Sequence, residues 1–250
     1  MNRTFTSIAL RLVLAAALAP LGMDAVLAQS SPHVAGAAQR ADLRGESVSA
    51  AVRHIADWAV HSGDHQKLPF IVVDKVNARA IAFDAGGRLI HATPVLLGMG
   101  VGDTFAPGVL KMDMYATKPA QRITPAGRFV ADEDFNSSGE RVLWVDYDSG
   151  IALHELSAKR TKQRRHERMR SSDPAQHRIT YGCINVPPAF YDQVVRPHFR
   201  KKGGIVYVLP DSKPLKTVFK SYDVDAPAAY ARVQTGARRA APPVPSASGF

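Results

Sequence analysis

The chain has 250 residues, a length that suits one large domain or two small ones. Hydrophobic residues make up 46% of it and charged residues 22%, which excludes wholesale disorder, a collagen-like fibre and a protein with many membrane spans. Lysine and arginine number 32 against 22 aspartate and glutamate, and this formal charge of +10 favours contact with polyanions such as nucleic acid, anionic lipid or an acidic cell-wall polymer. The single cysteine, Cys183, excludes a disulfide within the chain.

Residues 1–28 have the three parts of a secretory signal peptide. Arg3 and Arg11 flank a short polar start, residues 12–21 are apolar, and residues 26–28 offer the small side chains that an export peptidase reads. The apolar stretch is too short to cross a bilayer as a helix, and no cysteine for lipid attachment lies near the cleavage point. We therefore expect a protein exported to a bacterial periplasm, with no stable membrane anchor.

The rest of the chain divides by composition. Residues 29–43 are rich in alanine, serine and glutamine and predict a flexible leader. Residues 44–66 predict an N-terminal helix, because apolar side chains recur at helical spacing and Gly63 can end the helix. Residues 211–250 predict a disordered tail, because alanine and proline dominate their second half.

Residues 67–210 form the predicted functional domain, and their pattern is mainly β with a few helices. Short apolar or β-branched runs alternate with turn residues, which is typical of strands. These runs are residues 70–74, 80–83, 89–97, 127–131, 142–147, 151–156 and 204–209. Pro187 and Pro188 can open a helix that continues to Val195.

Two motifs that could indicate a cofactor are incomplete. His154-Glu155 begins like the zinc-binding pattern H-E-x-x-H, but residue 158 is alanine, so the second histidine is absent. The glycines at 98, 100 and 102 resemble a dinucleotide-binding loop, but no helical pattern follows them. The sequence therefore predicts no metal and no organic cofactor.

The segment Arg178-Ile-Thr-Tyr-Gly-Cys-Ile-Asn-Val-Pro187 carries the strongest chemical signal. A thiol acts as a nucleophile when a base raises its thiolate fraction and backbone amides stabilise the oxyanion that forms. Gly182 allows a close backbone approach to a ligand, and His154 ends a predicted strand upstream. We expect Cys183 to be the nucleophile and His154 the base, with His166 and His177 as rival candidates for the base.

Residues 68–210 resemble the L,D-transpeptidase family, which has a YkuD-like catalytic domain. Ile-Thr-Tyr-Gly-Cys-Ile-Asn is similar to the family's active-site signature, and Thr124-Pro-Ala-Gly-Arg-Phe129 to its Thr-Pro-x-Gly-x-Phe segment. The chain departs from the pattern in three ways: Tyr181 stands where a second histidine is common, Glu155 follows His154 where glycine is usual, and the interval from His154 to Cys183 is long and basic. The resemblance implies a YkuD-like β-sandwich.

The resemblance also implies a mechanism on the stem peptides of peptidoglycan. His154 would take the thiol proton of Cys183, and the thiolate would attack the stem peptide to give a thioester. The backbone amides of Tyr181, Gly182 and Cys183 would hold the oxyanion, and Thr180 and Asn185 would bind substrate or brace the loop. An acceptor amine would resolve the thioester into a 3→3 cross-link, and carbapenems would be expected inhibitors.

Two alternatives stay open at this stage. Water could resolve the thioester, which would make the protein an L,D-carboxypeptidase or another hydrolase on the same scaffold. The basic charge is also consistent with a non-catalytic module that binds the cell wall. With an export signal, the wall is the expected polyanionic partner and nucleic acid is not.

Overall fold

A computed structural model describes residues 39–156 and 164–226. The predicted signal peptide, most of the predicted leader and the end of the predicted tail lie outside the described residues. No helix in the described part of the chain is long and apolar enough to span a membrane.

The architecture is mainly β with short helices, as the sequence predicts. The strands are β1 (Phe70–Asp74), β2 (Arg79–Phe83), β3 (Leu89–Pro94), β4 (Leu97–Gly98), β5 (Gly127–Phe135), β6 (Arg141–Asp146), β7 (Ile151–Glu155), β8 (Arg178–Thr180), β9 (Ile184–Val186) and β10 (Gly204–Val208). The α-helices are α1 (Ala50–Ser62), α2 (Arg165–Met169), α3 (Pro188–Phe190), α4 (Arg196–Phe199) and α5 (Leu215–Val218), and a π-helical turn, Tyr191–Val195, joins α3 to α4. Short 3-10 turns cover Val109–Lys111, Met114–Ala116, Pro119–Gln121 and Pro174–His177.

Eight strands form one sheet in the order β3-β2-β1-β10-β5-β6-β7-β9, while β4 and β8 pair separately. The pairs β1–β10 and β7–β9 are parallel, and the other neighbours in the large sheet are antiparallel. β5 joins the two halves of the sheet, because its first residues pair with β10 and its last residues pair with β6. The parallel pair β7–β9 brings residue 154 beside the segment that follows Cys183.

Two hydrophobic cores cover opposite faces of the β1, β2 and β10 region. The first combines side chains from both halves of the sheet with the helical run from α3 to α4, including Val206, Leu153, Ile184 and Tyr191. The second packs α1 against the other face of β1, β2 and β10. Alternation along the strands explains this division, because neighbouring residues point to opposite faces.

Helix α1 has clear signals at both ends. The side chain of Ser49 accepts a hydrogen bond from the Val52 N–H at 3.2 Å, and Gly63 ends the helix in the left-handed region at φ 71°. Val52 and Ile55 are fully buried on its inner face. The helix therefore lies inside the predicted range 44–66 and is shorter than that range.

The ordered domain extends beyond both predicted limits. Ala41 and Leu43, which were expected in the leader, are buried in the second core. Residues 211–226, which were expected in the tail, include α5 and contribute Phe219 and Val224 to the same core. Burial of these apolar side chains stabilises two segments for which the polar and proline-rich composition predicted a leader and a tail.

A buried ion cluster holds the segments that lead to the cysteine. The Lys75 ammonium, fully buried, lies 3.1 Å from Asp103 Oδ1 and 3.2 Å from Asp211 Oδ2. It also donates to the carbonyl oxygens of Gly102 at 2.6 Å and Thr124 at 2.9 Å. Arg178 completes this Lys75 cluster through a contact of 2.6 Å with Asp211. The cluster therefore joins β1, the segments before β5, the start of β8 and the segment after β10.

The Asp103 carboxylate is charged within this cluster. Burial alone would raise the pKa of Asp103, but backbone N–H donors of Asp211, Lys213 and Ser212 and the ammonium of Lys75 together lower it below its ordinary value. The negative charge thus stabilises the fold at pH values above the ordinary carboxyl pKa, about 4, and this contribution is lost as the pH falls toward the depressed pKa of the folded state.

We expect Asp103→Asn to lower the free energy of unfolding by about 3 kcal/mol at pH 7, because it removes one partner of a buried ion pair. Urea unfolding at pH 7 and pH 3 measures the effect, which should shrink at the lower pH. Asp192→Asn is the matched control, since the Asp192–Arg196 pair is exposed and should contribute less than about 1 kcal/mol. Equal losses in the two variants would contradict a stabilising role for the cluster.

Candidate active site

Cys183 lies at the end of a short loop, residues 180–183, which we call the cysteine loop. The loop connects β8 to β9. The Cys183 side chain is partly exposed, and its Sγ lies 3.7 Å from the carbonyl oxygen of Gly150, immediately before β7. The thiol is therefore reachable from solvent and close to the strand that carries His154.

The hydroxyl of Thr180 braces the cysteine loop from inside. It accepts a hydrogen bond from the Gly182 N–H at 3.1 Å and donates one to the Cys183 carbonyl oxygen at 2.6 Å. Thr180 is buried, so the structure favours the bracing role over contact with substrate. The Gly182 N–H, which was expected to hold an oxyanion, is already engaged by Thr180. The amides of Tyr181 and Cys183 are the two other donors that the sequence predicts.

Position 182 has no room for a side chain. Its φ is 133°, and a Cβ atom there would lie 2.7 Å from the Ile123 carbonyl oxygen and 2.7 Å from the Ile151 Cδ1 atom. The buried Thr124 hydroxyl donates to the Gly182 carbonyl oxygen at 2.8 Å and accepts from the Gly98 N–H at 3.0 Å. The cysteine loop thus lies directly against the Ile123 backbone and the Thr124 side chain.

His154 and Asn185 are direct neighbours on two parallel strands. The register of β7 and β9 pairs His154 with Asn185. Cys183 lies two positions before Asn185 and directly before the first residue of β9. The pairing thus brings the predicted base to the strand beside the one that begins directly after the predicted nucleophile.

Hydrogen bonds define the proton position on His154. Its Nδ1 atom lies 3.1 Å from the Glu155 carbonyl oxygen. A carbonyl can only accept, so this contact assigns the proton to Nδ1, and Nε2 then carries its lone pair in the ring plane. An imidazole of this tautomer accepts a proton at Nε2 when it acts as a base.

The Asn185 side chain lies over the face of the His154 ring. Its Nδ2 atom is 3.0 Å from Nε2 and 3.4 Å from Nδ1 of that ring. An approach in the ring plane could not reach both nitrogens without colliding with the carbon atom between them, so the amide stacks on the ring. The in-plane lone pair of Nε2 therefore does not point toward the Asn185 amide.

Arg165 fixes the orientation of Asn185. Its Nη1 atom donates to Asn185 Oδ1 at 2.6 Å, and both side chains are buried. Arginine has no acceptor, so the amide oxygen must face Arg165 and the amide nitrogen must face His154. The three side chains form a series from a buried cation to the imidazole. Asn185 therefore braces the site, as one of its two predicted roles allows.

The rival histidines have other surroundings. His177 is buried, with Nδ1 2.8 Å from the Val95 carbonyl oxygen and Nε2 3.0 Å from that of Ser171. Both ring nitrogens are therefore engaged by backbone oxygens. His166 is exposed on α2 and lines a groove with Leu156, Met169 and Pro187. Neither of these histidines lies on a strand paired with β9, whereas His154 lies on β7 opposite Asn185.

Two arginines that sequence analysis did not single out belong to the site. Arg165 lies in the basic interval between His154 and Cys183, where composition alone indicates a solvated segment. Arg122 packs over the Tyr181 ring with its guanidinium carbon 3.9 Å from the ring centroid. Neither contact has a local sequence signal, because each joins segments that are distant along the chain.

The arrangement can support nucleophilic chemistry on an acyl group. It offers a partly exposed thiol, an imidazole on the neighbouring strand and backbone amides in a constrained loop. Within residues 39–156 and 164–226, no group of three or more His, Cys, Asp or Glu side chains is arranged to hold a metal ion.

We expect Gly182→Ala to destabilise the protein and to slow alkylation of Cys183 by iodoacetamide, because the added methyl group would displace the cysteine loop from Ile123. Gly139→Ala is the matched control: Gly139 also has a positive φ, 75°, but no atom lies within 4 Å of the place that a Cβ atom would take there. The control should lose about 1 kcal/mol from backbone strain alone and keep the wild-type alkylation rate. Similar losses in both variants would contradict a steric requirement at 182.

We expect Arg165→Gln to slow iodoacetamide alkylation of Cys183 about tenfold, because Asn185 would lose its fixed orientation and His154 its packing partner. The thiolate is the reacting species, so the rate at neutral pH reports how well the base is positioned. Arg168→Gln on the same helix is the control, since Arg168 donates to Gln176 and not to Asn185. An unchanged rate in Arg165→Gln would exclude the positioning role.

No protein-family model matches the sequence, and no curated protein matches it significantly. Solved structures with a similar fold include an L,D-transpeptidase from Xylanimonas cellulosilytica, with 16% identity and a TM-score of 0.36 over 57% of this chain and 60% of that one. The catalytic domain of the E. faecium L,D-transpeptidase has 18% identity and a TM-score of 0.36 over 57% and 98% of the two chains. The L,D-transpeptidase LdtMt1 in complex with imipenem has 16% identity and a TM-score of 0.32 over 56% and 58%.

All three structures are L,D-transpeptidases, the family that the sequence motif resembles. This chain spans about three fifths of the length of the first and the third.

Proposed function

We propose that this protein is a cysteine-dependent L,D-transpeptidase that acts on the stem peptides of peptidoglycan. The observation that carries the proposal is the parallel pairing of β7 and β9, which sets His154 opposite Asn185, two residues beyond Cys183. The motif around Cys183 and its resemblance to the family supply the substrate class. The predicted signal peptide at residues 1–28 supports a location in the periplasm, where such a substrate is found.

The first half of the reaction forms an acyl-enzyme. His154 Nε2 takes the proton of the Cys183 thiol, and the thiolate attacks the carbonyl carbon of the third residue of a stem tetrapeptide. The backbone amides of Tyr181 and Cys183 stabilise the negative oxygen, a contribution that is worth about 10²–10³ in rate for one donor in other enzymes. The bond to the terminal D-alanine breaks, His154 returns the proton to the leaving amine, and a thioester remains on Cys183.

The second half of the reaction resolves the thioester. The amine of a second stem peptide attacks the acyl carbon, His154 accepts the proton that the amine loses, and the thiolate leaves and is protonated again. The product is a 3→3 cross-link, or another amide if the acceptor is a different amine. Water in place of the amine would give hydrolysis, and the exposure of Cys183 is compatible with either acceptor.

We expect the wild-type protein to release D-alanine from stem tetrapeptides and form a new cross-link, and Cys183→Ala to do neither, because no thioester can form. Mass spectrometry of muropeptides, with and without an added amine acceptor, measures both products. Intact-mass analysis after incubation with a carbapenem should show a covalent adduct on the wild type only.

Gly139→Ala serves as a control that carries a substitution far from the thiol. Release of peptide without any new cross-link would favour the carboxypeptidase or hydrolase. Salt-sensitive wall binding that Cys183→Ala retains, with no turnover by the wild type, would instead favour the non-catalytic module. An adduct on Cys183→Ala would contradict the assignment of the nucleophile.

A further inference from the structure

Three side chains form a stacked group beside the cysteine loop. The guanidinium of Arg122 covers one face of the Tyr181 ring, with 3.9 Å between its carbon atom and the ring centroid. The ring of Tyr115 meets the Tyr181 ring edge-on, with centroids 5.9 Å apart. Tyr115 is 75% exposed, so this group reaches from the buried backbone to the solvent.

The Arg122 guanidinium is held by neutral acceptors. Its Nε and Nη2 atoms donate to the Thr117 carbonyl oxygen at 3.1 Å and 2.7 Å, and its Nη1 atom lies 3.5 Å from the Met99 sulfur. In the described part of the chain, no carboxylate oxygen lies within 4.0 Å of this guanidinium. The group is half-buried and fixed in position, and its positive charge has no counter-ion there.

The position of this charge is fixed relative to the thiol. Arg122 directly precedes Ile123 and Thr124, whose backbone and hydroxyl contact Gly182. Tyr181 is two residues before Cys183, so their Cα atoms are at most about 7 Å apart. The stacked group therefore begins within two residues of the thiol, within reach of a molecule that is bound there.

We propose that Arg122, Tyr181 and Tyr115 form a subsite for a carboxylate group of the acyl donor. The remaining N–H groups of the Arg122 guanidinium bind the carboxylate, a geometry that arginine favours. The exposed ring of Tyr115 packs against the apolar part of the same donor. The assignment to a donor rests on the proposed transpeptidase function, whereas the anion site beside Cys183 does not.

The anion site can be tested without any enzymatic turnover. Sulfonatoethyl methanethiosulfonate and a neutral alkyl methanethiosulfonate both modify Cys183, and the ratio of their rates reports the local charge. We expect Arg122→Gln to lower this ratio at least about threefold, since it removes a nearby positive charge, and Arg122→Lys to keep most of it. The rate with the neutral reagent shows whether the cysteine loop is intact in each variant.

Arg168→Gln is the matched control, because it also removes one cation, but from helix α2 rather than from the segment beside the cysteine loop. An equal fall of the ratio in Arg168→Gln and Arg122→Gln would overturn the subsite, since it would indicate a diffuse positive surface. An unchanged ratio in Arg122→Gln would overturn it as well.

A second experiment tests the donor. We expect Arg122→Gln to raise the KM about tenfold for a stem tetrapeptide with free side carboxylates and to leave it unchanged for the analogue whose side carboxylates are carboxamides. Equal changes for the two donors would overturn the recognition of a carboxylate. If the wild type turns over neither donor, the proposed transpeptidase function fails, while the ratio of thiosulfonate rates still decides whether the anion site exists.

Discussion

The close approach of Gly182 to the Ile123 backbone is the constraint on which the rest of the site depends. The hydroxyl of Thr124 joins Gly98 to Gly182 through one buried oxygen atom, and the carbonyl oxygen of Thr124 accepts from the Lys75 ammonium. Thr124 thus links the cysteine loop to the buried ion cluster. A side chain at 182 would push the cysteine loop away from Ile123, which explains why the residue before Cys183 is glycine.

Two kinds of support meet at the thiol. Thr180 and Thr124 hold the cysteine loop with neutral hydrogen bonds, which fix its backbone but carry no charge. On the other side, Arg165 orients Asn185, and Asn185 lies over the imidazole of His154. The two threonines determine the position of the Cys183 backbone, and Arg165 with Asn185 determines the packing of the His154 ring. A functional arrangement needs both, because reaction rates depend steeply on the alignment of the reacting groups.

The sequence predicted the buried strands well and the polar ones less well. Phe70–Asp74 matches its predicted range because every residue is buried, and an apolar run is a direct signal of that environment. β5 extends to Phe135, beyond its predicted end at residue 131, because residues 132–134 are all charged and give no apolar signal of a strand. Residues 211–226 lack any such run, and they are ordered by contacts with α1 and by the bonds of Asp103, which no local pattern reveals.

The candidate site shows the same division between local and long-range information. Cys183 and His154 could be predicted because a short motif and a strand end identify them, whereas Arg165 and Arg122 depend on contacts between distant segments. The net charge of +10 offers no means of choosing among 32 basic residues. Burial does, because a guanidinium that is screened from water interacts more strongly with its neighbours than an exposed one. Arg122 and Arg165, rather than exposed cations such as Arg164 and Arg170, are therefore the part of that charge that can shape the chemistry of the site.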